Sequence, residues 1–123
     1  MKKYLLLFLP LLLSACYKTE CNCSDFKTGK FESEIVINGV TQRTTSVHTD
    51  SLVIETYKGK TDTATIRWVS DCEYVLRQLH PKTMAEQKAI SIKILTTDKN
   101  SYTFEFGLVG DDARQKGTAH KIE

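Results

Sequence analysis

The sequence predicts an all-β domain: an antiparallel up-and-down meander of 7–8 strands, forming a curled sheet or small barrel, preceded by a signal-peptide helix. Three observations carry that expectation. Beyond Lys30, apolar residues recur at every second position, the period of a strand with one buried face. Short turn signals such as Asn38-Gly39, Lys58-Gly59-Lys60 and Gly110-Asp111-Asp112 separate these runs. Between them there is no helix-period segment long enough to serve as the crossover that a parallel sheet requires.

The first element is the signal. Lys2 and Lys3 form a basic start, Tyr4 to Leu13 is an apolar run broken only by Pro10, and small residues follow. That order is the mark of a secretory signal peptide over residues 1–15. The apolar run is too short for a bilayer crossing, which takes about 20 residues. Residues 16–27 are polar and short of large aliphatics, and they read as a tether. The β domain is then expected over residues 28–123.

Within it, Phe31, Ser33, Ile35 and Ile37 alternate with Glu32, Glu34 and Val36, and Asn38-Gly39 predicts a type I′ hairpin turn. Val40 to His48 is Thr-rich and weakly apolar, as suits a return strand at a sheet edge. Leu52, Ile54 and Thr56 alternate with Val53, Glu55 and Tyr57; then Ala64, Ile66 and Trp68 alternate with Thr63, Thr65 and Arg67. Ser70-Asp71 turns the chain into Cys72, Tyr74 and Leu76. His80 to Gln87 is the longest connection, with one helical turn expected around Thr83 to Gln87. Ile90, Ile92 and Ile94 precede an Asp98-Lys99-Asn100 turn. Tyr102, Phe104, Phe106 and Leu108 form the strongest alternating set, and a polar last strand is expected near Arg114 to Ile122. Such a sheet must bury its apolar face by curling or by folding into two layers.

Cysteine and charge narrow the function classes. Cys21, Cys23 and Cys72 remain once Cys16 is assigned to the signal's end, and an exported chain favours disulfides. A Cys23–Cys72 bridge is expected, with Cys21–Cys72 as the runner-up. A metal site from Cys21, Cys23 and a histidine is disfavoured, because a lone Cys-x-Cys lacks the second ligand pair. Lys2 and Lys3 account for the whole surplus of 17 basic over 15 acidic residues, so the chain from Cys16 onward balances. Nucleic-acid binding, which needs a basic face, is not expected.

Trp68, Tyr74, Phe104 and Phe106 are the residues expected to face a ligand if the barrel encloses one, and otherwise to fill the core. Tyr57 and Tyr102 are expected at the rim. His48, His80 and His120 are scattered and expected to be solvated at the surface, and Asp111-Asp112 to be a turn and no cation site. No phosphate-binding glycine loop, Gly-x-Ser-x-Gly or His-Glu-x-x-His occurs. No catalytic residue, cofactor or metal is expected, and the chain reads as a non-enzyme.

Leu13-Ser14-Ala15-Cys16, placed after the basic start and the apolar run, resembles the lipobox of bacterial lipoproteins. The resemblance implies that the Cys16 thiol takes a diacylglyceryl group, that cleavage falls before Cys16, and that the new amine is acylated. Two or more acyl chains anchor a protein stably. Tyr17 in place of Asp, by similarity to enterobacterial sorting rules, implies the outer membrane. The expected partners are thus the membrane and, as a further candidate, another envelope protein.

A second resemblance covers most of the mature chain, Cys23 to Lys121. Asp25-Phe26-Lys27-Thr28-Gly29-Lys30-Phe31, Ile66-Arg67-Trp68, Asp71-Cys72-Glu73-Tyr74 and Ile94-Leu95-Thr96-Thr97 are similar to stretches of short, uncharacterised lipoproteins of Bacteroidetes-type bacteria. Members of that group sometimes carry the automatic label DNA topoisomerase IV. The export signal, the balanced charge and the short length give the label no physical support here. The reading from sequence is a lipid-anchored envelope protein with a non-catalytic binding or structural domain, or alternatively a small-ligand carrier using a barrel interior.

Overall fold

A computed structural model describes residues 22–123; the signal peptide expected over residues 1–15, Cys16 and Cys21 lie outside the described residues. Eight antiparallel strands follow in order: β1 (Gly29–Ile37), β2 (Val40–His48), β3 (Leu52–Tyr57), β4 (Lys60–Ser70), β5 (Glu73–Gln78), β6 (Ile90–Thr97), β7 (Ser101–Leu108) and β8 (Gln115–Lys121). Each pairs with its sequence neighbours, and β8 pairs with β1, so the meander closes into a barrel. Among the described residues, no helix is long and apolar enough to cross a membrane.

Register follows from turn chemistry. Asn38 and Gly39 both have positive φ, 53° and 80°, and Lys58 and Gly59 repeat the pattern at 52° and 80°. Positive φ at both central residues defines the tight turn whose twist matches that of paired strands. The first turn sets Ile37 opposite Val40, and the ladder then places Phe31 opposite Ser46 and Gly29 opposite His48. The inner face of β2 therefore carries Thr44, Ser46 and His48, on the same side as Phe31. Because β1 and β3 both pair with β2, it is an interior strand of the barrel, contrary to the edge position expected for it. A strand that is weakly apolar throughout looks like an edge, but closure leaves no edges.

Closure is assisted by two register shifts, between Trp68 and Ser70 and between Ile94 and Thr96. Bulges of this kind sharpen local bend and twist, which a small closed barrel needs.

The two ends of the barrel differ. At one end a short 3-10 turn, Cys23–Phe26, lies across the opening as a plug. Cys23 is bonded to Cys72 in the β4–β5 turn, the pairing expected from sequence. The Phe26 ring meets Tyr102 at 5.1 Å and Phe31 at 6.4 Å. Asn22 N–H donates to Thr97 Oγ1, and Lys121 Nζ donates to the Asp25 carbonyl. Cys23 and Phe26 are buried with the core. The folded domain thus reaches back at least to Cys23, where composition alone suggested tether as far as Lys27. A polar segment carrying one aromatic and one cysteine looks like a linker until its partners are known.

At the other end lie the β1–β2 and β3–β4 turns and the longer β5–β6 and β7–β8 connections. The β5–β6 connection contains a single 3-10 turn at Ala85–Gln87, close to the expected position. Among the described residues nothing lies across this end, which forms the mouth.

Candidate functional site

An eight-stranded barrel is about wide enough for side chains to fill it or for one small ligand to occupy it. Here the two halves of the interior differ in filling. Near the plug, Phe26, Phe31, Tyr74 and Tyr102 bring large rings to the axis. Toward the mouth, β1, β2 and β8 turn inward small residues: Ser33, Thr44, Ser46, Gly117 and Ala119. Gly117 lies beneath Phe104, and a Cβ there would stand 2.6 Å from the ring's Cζ. Phe104 fills the space over Gly117, while Ser33, Thr44 and Ser46 leave room, and a cavity of about 150 Å³ results. Larger depressions of about 720 and 520 Å³ lie on the outer surface, but both are more open to solvent than this interior space.

The cavity has two unlike walls. Ser33, Thr44, Ser46, His48 and Glu55, from β1 to β3, bring the polar side chains, with Ile35 and Val53 among them. Leu76, Ile90, Ile92, Phe104 and Phe106, from β5 to β7, make an apolar wall. Tyr74 and Tyr102 lie toward the plug, their hydroxyls 3.4 Å apart.

His48 is the unusual member. It is 6% exposed, and its ring packs 4.6 Å from Phe31 and 6.1 Å from Tyr74. Its Nε2 lies 3.2 Å from Ser46 Oγ, while Nδ1 is buried and has no hydrogen-bond partner among the described residues. A polar atom buried without a partner costs roughly 1–3 kcal/mol, so such atoms are rare and call for an explanation. Burial lowers the imidazole from 6.5 to about 4, so His48 is neutral near neutral pH. Sequence reading placed His48 at the surface, and the structure corrects that. His48 ends a Thr-rich strand, and only the register from Asn38-Gly39 shows that it shares a face with Phe31.

Glu55 projects inward from β3, opposite Ser46 on β2 and Asp62 on β4. It stands at the mouth and is exposed to solvent there. The protein packed around its carboxyl, and then the nearby Asp62 charge, raise its pKa. Tyr57, one inward position further out, donates its hydroxyl to Gln42 Oε1 on the neighbouring strand β2. Burial raises the Tyr74 phenol, with Tyr102 and Glu55 reinforcing the shift; burial also raises Tyr102.

The residues expected to face a ligand divide. Tyr74, Phe104 and Phe106 line the cavity. Trp68 does not: it packs 4.6 Å from Tyr74 near the plug, with the Lys27 ammonium 4.8 Å from its ring centre, and helps seal that end. Tyr102 is buried, not at the rim, because the β6–β7 turn carries it to the plugged end. Among the described residues, no group of three or more His, Cys, Asp or Glu is placed to hold a metal ion. No protein-family profile, curated protein or solved structure matches the chain.

Proposed function

We propose that the chain is the precursor of an envelope lipoprotein, anchored through Cys16, whose barrel holds one small, partly apolar molecule. The observation that carries the ligand reading is an interior cavity lined by polar side chains from β1 to β3, the buried His48 among them, and by apolar side chains from β5 to β7. Pockets for drug-sized ligands run to roughly 300–1,000 Å³. At about 150 Å³ the interior suits something nearer benzene in size, which an apolar cavity of that volume admits.

The anchor suits this arrangement. Cys16 precedes Asn22 by six positions, at most about 20 Å of extended chain. Asn22 sits at the plugged end, so a lipid at Cys16 would hold that end toward the outer membrane and leave the mouth facing away. The reading is non-catalytic. A serine activated by histidine needs a third group to orient the ring through its other nitrogen. Ser46 and His48 are in contact, but His48 Nδ1 has no such partner. The balanced mature charge supports a role away from nucleic acid.

Thermal denaturation of the detergent-solubilised full-length protein with and without benzyl alcohol tests the ligand reading. A concentration-dependent rise in Tm, lost when Thr44→Phe fills the cavity, is expected. No rise at saturation would leave the cavity to water. Radiolabelled palmitate incorporation, with Cys16→Ser as control, tests the anchor.

One observation favours a second reading, a protein partner at the mouth. Ile37, Val40, Leu79, Met84 and Val109 are exposed apolar residues on the turns and strand ends there. Recovery of one partner from solubilised envelope, abolished by Val40→Lys with Met84→Lys, would support it.

A further inference from the structure

We propose that the barrel interior selects a small monocation: a protonated primary amine beside Glu55 at the mouth, its apolar body between Ile92 and Phe106. This deepens the ligand reading above and rests on it. Three observations on the molecule converge. First, among the described residues the charged side chain lining the cavity is a carboxylate, Glu55, and no lysine or arginine lines it. Asp62 faces Glu55 across the β3–β4 register, so the mouth has two inward acidic positions side by side. Second, the ion pair found within 4 Å among the described residues is Arg43–Glu34, on the outer surface, so neither carboxylate is neutralised. Lys60, one inward position further out than Asp62, makes no such pair with either. Third, the cavity is lined by His48, a neutral ring 6% exposed whose Nδ1 has no hydrogen-bond partner among the described residues.

The polar groups form one strip. Glu55 is opposite Ser46, whose Oγ touches His48 Nε2. An ammonium has three donors and no acceptor, so it suits a wall of carboxylate, hydroxyl and imidazole. A carboxylate ligand would meet Glu55 and Asp62 with like charge and find no cation. A neutral alcohol would fit but would leave the acidic pair without a counter-charge. The facing wall of Ile92 and Phe106 offers only apolar contact, which sets the ligand's other end.

Titration calorimetry of the detergent-solubilised full-length protein with benzylamine, benzyl alcohol and benzoate near neutral pH tests the proposal. The three share a ring and differ in charge. Benzylamine is expected to bind about tenfold tighter than benzyl alcohol, the size of one charge-assisted hydrogen bond, and benzoate weakest. Glu55→Gln should cost the amine about tenfold and the alcohol far less, so that the two affinities converge. Asp62→Asn should act in the same direction, and Glu34→Gln, outside the barrel, should do nothing. Equal affinity for amine and alcohol, or a preference that survives both Glu55→Gln and Asp62→Asn, overturns the charge selection and leaves the cavity reading standing. Failure of all three probes to bind overturns both.

Discussion

Acidification should destabilise this barrel through His48. In the folded protein its imidazole takes a proton only near pH 4, against about 6.5 when unfolded. Between those values the unfolded chain binds the extra proton, so stability falls as pH drops. The contribution is complete above about pH 6.5, is lost progressively toward pH 4, and is flat below. A gap of this size corresponds to about 3 kcal/mol, a large share of the 5–15 kcal/mol typical of a domain. The structural cause is a ring 6% exposed, packed on Phe31 and Tyr74. Glu55 acts in the opposite sense: its raised carboxyl contributes stability that fades as pH rises. The comparison must therefore isolate His48. Urea denaturation of wild type and His48→Gln at half-unit pH steps does so, because Glu55 is common to both. The wild-type curve should fall relative to the variant by about 3 kcal/mol over the window. Parallel curves from pH 7 to pH 4 would refute the burial argument.

Three further outcomes are expected. The Cys23–Cys72 bond closes a loop of sequence separation 49, which in the chain-entropy model is about 4 kcal/mol; Cys23→Ala with Cys72→Ala should lower Tm by roughly 20 °C in differential scanning calorimetry, and a shift of a few degrees would show the plug held without it. Gly117→Ala puts a methyl against Phe104 Cζ and the Glu34 carbonyl, so it should cost about 1–3 kcal/mol in urea denaturation and shift the Phe104 ring resonances. Arg43→Ala breaks an ion pair whose side chains are 60% and 38% exposed; it should change stability by less than about 1 kcal/mol.

Strand positions were legible because each run is short, alternates and ends in a recognisable turn. A bridge to Cys72 was legible from the cysteine count and Cys23 was the favoured partner, but the count left Cys21 open, and it is the seating of Cys23 in the plug that decides the pair. Closure was not, because it depends on β8 pairing with β1, and Gln115–Lys121 is too polar to announce a buried face. Its inward residues include Gly117 and Ala119, which show nothing to a pattern of large apolar side chains. The site was half legible. Tyr74, Phe104 and Phe106 stood out as aromatics at inward positions, and they line the cavity. The polar wall was missed because Ser46, His48 and Glu55 look like solvent-facing residues. A signal was nonetheless present. The Asn38-Gly39 turn fixes the β1–β2 register, and that register carries Phe31's buried side onto Ser46 and the next inward position to His48. Trp68 was open in the sequence between lining a cavity and filling the core, and its height in the barrel, against Tyr74 by the plug, places it with the core.

The most direct measurement is a chemical-shift map of the labelled, detergent-solubilised protein titrated with benzyl alcohol. Shifts confined to the Ile90 and Ile92 methyls, the Phe104 and Phe106 rings and the His48 imidazole nitrogens would place the ligand inside the barrel, as the account predicts. Shifts confined to the outer depression around Thr28, Lys99 and Lys121, with the interior silent, would contradict it.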